Sequence, residues 1–401
     1  MCLRRQLSFL IAALIAPVVA LAADVVPAPS PLAFEWNARL RYEGVDDDVF
    51  ARSADATSLR LRAGLRARLG SGFSALVEGE GIAAAGDYNS GANGRTAYPA
   101  IIDPDGFELN QAWLGWKGEY AGATFGRQRL LFDNQRWVGN SGWRQNEQTF
   151  DAVSAEWQLR PALAARYAWL DRVHRVSGDD ALDRFARERD LDTHLFNLAW
   201  KSEAHQLTGY AYLHEDRDVA TASTATGGIR WTGSRLRQGD GWGWTLEAAR
   251  QREYASNPSS FSHAYWLLEP TFASHGITYR AGWEHLGGDG THSLQAPLGT
   301  LHAFNGWADK FLVTPAGGLE DHWLGAGGTF EQGAHAHKFS WNIAWHDYRA
   351  DTGGDYGTEW NASLGFPVMG AVTGLVKFAD YRSNGFARDT RKVWLQLEWI
   401  R

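Results

Sequence analysis

The chain has 401 residues, 44% hydrophobic and 21% charged, with 20 Trp, 13 Tyr and 19 Phe and a formal net charge of −7. Net acidity argues against a nucleic-acid partner, and beyond the first two dozen residues no segment approaches the roughly 18 consecutive apolar residues of a membrane helix. A soluble chain this long would ordinarily divide into domains with helical segments, and none of consequence is found.

Arg4 and Arg5, an apolar run from Leu7 to Leu21 and the small-residue site Ala20-Leu21-Ala22 read as a secretory signal peptide over residues 1–22, cleaved on export. A permanent anchor helix is the weaker alternative, because the run is short and no stop-transfer charge cluster follows. Cys2, the one cysteine, leaves with the peptide. The mature chain then has no thiol, which excludes disulfides and thiolate metal sites and suits passage through an oxidising periplasm. Losing two arginines takes the charge from −7 to −9. Residues 23–33 are an Ala/Pro-rich lead too small for a plug domain, and 34–401 are expected to form one body.

From Phe34 to Glu43 apolar and polar side chains alternate at every residue, the two-residue period of a strand. From Leu59 to Leu69 the pattern recurs with Arg60, Arg62, Arg66 and Arg68 on one face and nothing polar on the other. So clean a split suits a wall with lipid on one side and a watery lumen on the other. A slip of one residue would place the arginines in hydrocarbon at roughly 2–4 kcal/mol each near the bilayer midplane, which fixes the register. A closed barrel is also the one non-helical structure that satisfies every backbone amide inside a bilayer, and the aromatic load fits girdles at its two boundaries.

Onward the chain reads as strands joined by connections of two alternating lengths. Tight ones fall near 70–72, 118–122, 160–161, 202–204, 233–240, 273–276, 331–334 and 367–370. Long ones fall at about 44–57, 83–107, 130–149, 171–191, 214–223, 251–262, 286–319, 348–356 and 382–390. Short periplasmic turns and long extracellular loops are how outer-membrane barrels are built. Seventeen connections give eighteen strands, and sixteen is the second choice because the segments near 207–213, 264–269 and 323–330 carry a weaker alternation. The dyad is plain again in Phe339 to His346, Glu359 to Phe366 and Ile277 to Glu284, and the chain closes on a strand from Val393 with Trp399 near its end.

With apolar residues toward lipid, parity assigns Arg39, Arg41, Arg60, Arg62, Arg66, Arg68, Glu78, Glu80, Arg280 and Glu284 to the pore lining, beside Glu35, Asn37, Glu43 and Ser74. Arginines facing carboxylates set up a field across a pore. The plainer reading is that these charges pair across neighbouring strands, although the arginines of the first two strands outnumber the acids near them. The stretch from Leu130 to Gln148 is too amphipathic to wave in water and is expected to fold inward. Arg127, Arg129, Arg136, Trp137, Trp143 and Arg144 would narrow the bore, the tryptophans offering flat faces to sugar rings. Phe304 to Phe311, with Trp307 and Lys310, has the same character. The alternative is that these aromatics pack the extracellular rim.

The segments Glu108 to Trp113, Phe125 to Arg129, Asp133-Asn134, Val138 to Asn140, Trp143 to Asp151, Phe304 to Phe311 and Asp389 to Lys392 resemble the alginate export family of outer-membrane barrels over nearly the whole mature chain. The resemblance implies an eighteen-stranded pore with an arginine-lined route for polyanionic sugar. The chain is shorter than the exporter that names the family and mixes Glu78, Glu80 and Glu284 into its lumen.

No H-E-x-x-H, G-x-S-x-G or Walker loop is present, and His214-Glu215-Asp216 lacks the second histidine of a zinc motif. Gly325 to Gly328 reads as strand interior. Asp46-Asp47-Asp48 and Asp103-Pro104-Asp105-Gly106 are candidates for a divalent cation between loops, against the plainer reading of solvated tips. No metal or other cofactor is assigned. The sequence therefore predicts a non-enzymatic outer-membrane channel for small polar or anionic solutes, including acidic saccharides. The expected partners are lipid, lipopolysaccharide, the permeating solute and the barrel-assembly machinery. A secretion channel for an anionic polysaccharide is the alternative, and a surface hydrolase the third reading.

Overall fold

The computed structural model describes residues 31–332 and 337–400. The signal-peptide segment, most of the lead and part of the 331–334 turn lie outside them. Eighteen strands form one sheet: β1 Leu32–Asp47, β2 Ala54–Gly70, β3 Phe73–Asp87, β4 Gly106–Lys117, β5 Ala121–Gln128, β6 Thr149–Arg160, β7 Leu163–His174, β8 Glu188–Lys201, β9 His205–Asp216, β10 Thr224–Arg237, β11 Asp240–Glu253, β12 Ser262–Ser274, β13 Ile277–Leu286, β14 Leu319–Gln332, β15 His337–Arg349, β16 Asp355–Met369, β17 Val372–Ser383 and β18 Thr390–Ile400. Each pairs antiparallel with its chain neighbours, and β1 pairs with β18 from Asn37↔Ile400 to Asp47↔Thr390, closing the barrel without an edge. The eighteen-strand count holds, and the sixteen-strand alternative is ruled out. The three weakly patterned segments are β9, β12 and β14, and Gly325 to Gly328 lie inside β14. β1 begins two residues before the expected Phe34 and runs to Asp47, so the first loop shortens to 48–53.

Parity sorts the wall as expected. Leu59, Leu61 and Leu65 on β2 are each 50% exposed on the outer face, while Arg60 and Arg62 between them are 1% and 8% exposed. Trp116, Trp157, Trp200, Trp242 and Trp399 lie exposed close to the short-turn ends of their strands, where amphipathic rings favour the boundary of the bilayer. Other tryptophans stand inside. Trp137, Trp143, Trp307, Trp323 and Trp394 belong to, or pack against, a continuous apolar cluster with Phe150, Leu170, Tyr265, Phe311, Tyr348 and Tyr381. The girdle reading thus accounts for only part of the tryptophan content.

That inner cluster exists because two long loops, 129–148 between β5 and β6 and 287–318 between β13 and β14, fold into the barrel. A bulge where Glu78 pairs with Gln111 and Gly79 with Leu109 leaves Asn110 unmatched. It turns Asn110 and Gln111 both inward, breaking the two-residue period where the first loop docks.

Candidate functional site: a constriction built from two infolded loops

The two loops form one body. Val138 and Leu298 make a parallel bridge, Gly139 N donates to Leu298 O at 2.9 Å and Thr300 N to Gln135 O at 2.9 Å, and Gln148 Nε2 donates to Leu298 O at 3.0 Å. A Cβ on Gly139 would lie 2.2 Å from Thr300 Oγ1, so only glycine permits this approach.

Beside β1 and β18, Arg39 Nη1 donates to the carbonyls of Gly142, Trp143 and Arg144 at 3.1–3.3 Å, and Arg41 Nη2 donates to Trp143 O at 2.6 Å. Arg144 pairs with Glu43 at 3.5 Å and Asp309 at 3.0 Å. Beside β2 to β4, Arg62 pairs with Glu80 and with Glu147, the latter at 3.3 Å. Arg129 bridges Glu147 and Glu78. On the far side, Trp137 Nε1 donates to Tyr210 OH on β9 at 3.0 Å and to Glu247 on β11 at 2.9 Å, and Arg136 pairs with Glu284 on β13 at 2.9 Å. Loop 129–148 therefore crosses the bore from wall to wall.

The second loop is held as firmly. Glu359 on β16 accepts from the amides of Trp307 and Ala308 at 2.5 and 2.8 Å, and Lys310 pairs with Asp47 at 2.7 Å. Where the loops meet, the Lys377 ammonium from β17 sits 3.9 Å from the ring centres of both Trp143 and Trp307. It also contacts His302 Nε2 at 2.6 Å.

Burial holds the His302 imidazole down at about 3, so the ring is neutral near pH 7; its Nδ1 then donates to Asp309 and its Nε2 accepts from Lys377. Burial alone would raise Asp309, but His302, Lys392 and Arg144 beside it hold its carboxyl well below the usual carboxylate range. Glu147 is likewise pulled down to about 2, because Arg62 and Arg129 outweigh its burial.

Several expected roles are corrected by these contacts. Arg39, Arg41 and Arg62 are on the inner face but bond the loop, so they anchor it instead of lining an open lumen, and Arg60 is buried against Asn37 and Glu398. Their apparent excess is answered by Glu80 on the next strand and by Glu398, Asp103, Glu147 and loop carbonyls distant in sequence. Glu78, Glu80 and Glu284 are covered too. Arg127 is not in the constriction: it stands opposite Asp151 on the face that carries the exposed Phe125, bonding Asp151 at 2.9 Å outside the bore. Nor do the tryptophans offer free faces. Trp143 carries Arg41 at 4.1 Å, Lys377 at 3.9 Å and a stacked His302 at 4.8 Å, and Trp137 is buried.

Arg66, Arg68 and Arg280 keep solvent contact. Arg66 pairs with Glu35 at 2.6 Å; Arg68 and Arg280 are exposed and enter no ion pair among the described residues. Below the loops the inner wall of β14 to β16 carries small side chains at Gly325, Gly327, Ser340, Ala344, Ser363 and Gly365. Lys377, His302, Asp309, Glu147 and Glu359 were not singled out from sequence. Lys377 and Glu359 each had a signal, a charge at inward parity beside Val376 and Phe378 or Trp360, and Glu147 and Asp309 lie in segments that carry the family resemblance.

Residues 30–279 match the family model described as alginate export. The chain belongs to the alginate export family. No curated protein sequence matches it significantly. Among solved structures it is similar to Acinetobacter baumannii OccAB4 (12% identity, TM-score 0.72, covering 93% of this chain and 98% of that one). It is also similar to Pseudomonas aeruginosa OpdO (17%, 0.69, 92% and 97%) and to the outer membrane protein opdK of Pseudomonas aeruginosa (13%, 0.70, 92% and 98%). The fold is that of outer-membrane porins, and the chain is a bacterial outer-membrane barrel.

Proposed function

We propose that the protein is a porin-like channel for small anionic solutes, with monomeric or short acidic saccharides as the preferred class. The observation that carries this reading is the exposed guanidinium of Arg280, which faces the charge of Glu269 on β12 without entering an ion pair among the described residues, beside a wall of small side chains and below a pair of loops that narrow the bore. A guanidinium donates bidentately to a carboxylate, and a solvent-exposed cation in a narrow, low-dielectric passage raises the local concentration of anions. Passage is diffusive and involves no turnover. Swelling of proteoliposomes in isosmotic solutes of equal size tests this: hexuronate should enter faster than neutral hexose, and equal or reversed rates would refute the preference.

The family's name favours a second reading, secretion of an anionic polysaccharide. That reading requires the docked loops to move aside, so a channel silent in bilayers until the loops are loosened would support it.

A further inference from the structure

We propose a zinc-type site on the outer face of the extracellular rim, where His285 of β13, Glu320 of β14 and Asp351 of the loop after β15 meet at the base of the second infolded loop. One donor atom from each, an imidazole nitrogen and two carboxylate oxygens, lie within 4.8 Å of one another. His285 and Glu320 stand opposite each other in the ladder, on the face that turns Tyr279 and Leu324 outward. The three side chains are 13%, 29% and 30% exposed, so they are sheltered yet open to an ion from the medium.

His285 Nδ1 is 3.5 Å from Glu320 Oε1 and 3.9 Å from Asp351 Oδ1. Hydrogen bonds close to about 2.7–3.2 Å, and Nδ1 is shielded from solvent with no hydrogen-bond partner. Donors held about 2.0–2.2 Å from a tetrahedral zinc lie about 3.3–3.6 Å from one another. The observed gaps are therefore those of ligands around an ion, the longer one closing by a slight turn of the Asp351 carboxylate. Neither carboxylate pairs with a lysine or arginine among the described residues: Arg349, opposite Glu320 in register, is turned to Asp347 at 2.8 Å.

An imidazole nitrogen with two carboxylate oxygens suits zinc better than calcium or magnesium, which take oxygen ligands. Three protein donors leave a fourth position for water. The backbone presents Asp351 to the other two: its Oδ2 accepts from Gly288 N at 3.0 Å, and Thr352 N donates to Gly317 O at 3.0 Å, which leaves Oδ1 for the ion. Gly318 has φ +75°, and a Cβ there would lie 2.6 Å from Asp351 Cβ and 2.7 Å from Gly288 N, so glycine is required where the two ends of the loop close on Asp351. Bound here, zinc would join the residues on either side of loop 287–318 and clamp its base, whatever solute passes. The acidic runs prominent in the sequence are engaged elsewhere: Asp103 is fully buried against Arg41 and the Gln145 amide, and Asp47 is taken by Lys310.

The full-length, tag-free barrel in detergent, stripped with EDTA, would be titrated with Zn²⁺ against a chromophoric chelator and with Co²⁺ by visible absorption. Expected are a single Zn²⁺ per chain, d–d bands of bound Co²⁺ that Zn²⁺ abolishes, and slower proteolytic cleavage within loop 287–318 when Zn²⁺ is bound. His285→Asn and Glu320→Gln should each weaken binding at least about tenfold, the loss that even a residue merely supporting a ligand typically brings. Asp351→Asn, which keeps an oxygen to accept from Gly288 N, serves if either variant does not fold. His263→Asn, beside Asp289 and outside the triad, should leave binding unchanged. No Zn²⁺ binding, which would make His285 an ordinary ion-pair partner, equal binding by the triad variants, loss of binding in His263→Asn, or cleavage indifferent to Zn²⁺ would overturn the proposal.

Discussion

Replacing Trp143 by Ala should release the constriction while leaving the barrel closed. The indole receives Arg41 and Lys377 on its faces, stacks on His302 and meets Trp394 edge-on at 5.8 Å. Each desolvated cation–π contact is worth about 2 kcal/mol, and truncating a buried tryptophan typically costs about 3–5 kcal/mol, an upper bound for the partly buried Trp143. Since each 1.4 kcal/mol is tenfold, the docked loop should lose roughly two to four orders of magnitude in population relative to the undocked one. None of these contacts belongs to the strand ladder, so the β signal in circular dichroism should not change. Single-channel recording in a planar bilayer should show larger and noisier open currents than the parent, with Trp143→Phe in between. Conductance and noise identical to the parent would refute the argument that this loop narrows the bore.

Arg280→Ser should shift the reversal potential toward cations at little change in Tm, because the guanidinium it removes is exposed and enters no ion pair among the described residues. Arg62→Ser should instead lower stability by about 3–5 kcal/mol, since it strands the buried Glu80 and Glu147; an unaltered Tm would contradict the anchoring role. Gly139→Ala should raise protease sensitivity of loop 129–148, the new Cβ overpacking Thr300 and Gln135 at about 1–3 kcal/mol. Acid should undock the loops. His302 released from the cavity titrates near about 6.5 but only at about 3 when docked, so docking weakens as pH falls through that window. Glu147, at about 2 when docked, contributes above about 4.3, the value for a free glutamate, and is lost as pH falls toward 2. Current noise should therefore grow between pH 7 and pH 4, and a constant noise level would oppose this account.

Strand identity and facing were legible because the wall repeats a local rule: Leu59-Arg60-Leu61-Arg62 states in four residues which side is lipid. Turn lengths gave the strand count for the same reason. The environment of the inward charges was not legible. Whether Arg60 meets water or Glu398 depends on a partner 338 residues away, and whether Arg41 lines a pore depends on a loop a hundred residues later folding onto it. Arg127 illustrates the converse. Parity counted from Phe125 would have placed it outside, but its nearness to the amphipathic loop suggested otherwise. Lys377 had inward parity and nothing in its neighbourhood to reveal two tryptophans arriving from separate loops. The bulge at Asn110 has no local sign at all, since two consecutive inward residues look like any break in alternation.

The central claim is that anions use this barrel as a passage whose width is set by the infolded loops and whose preference is set by the exposed guanidiniums. Reversal potentials of single channels bathed in chloride on one side and glucuronate on the other measure it most directly. The account predicts current carried by both anions, with glucuronate permeability retained and reduced by Arg280→Ser; a cation-selective channel, or one that excludes glucuronate, would contradict it.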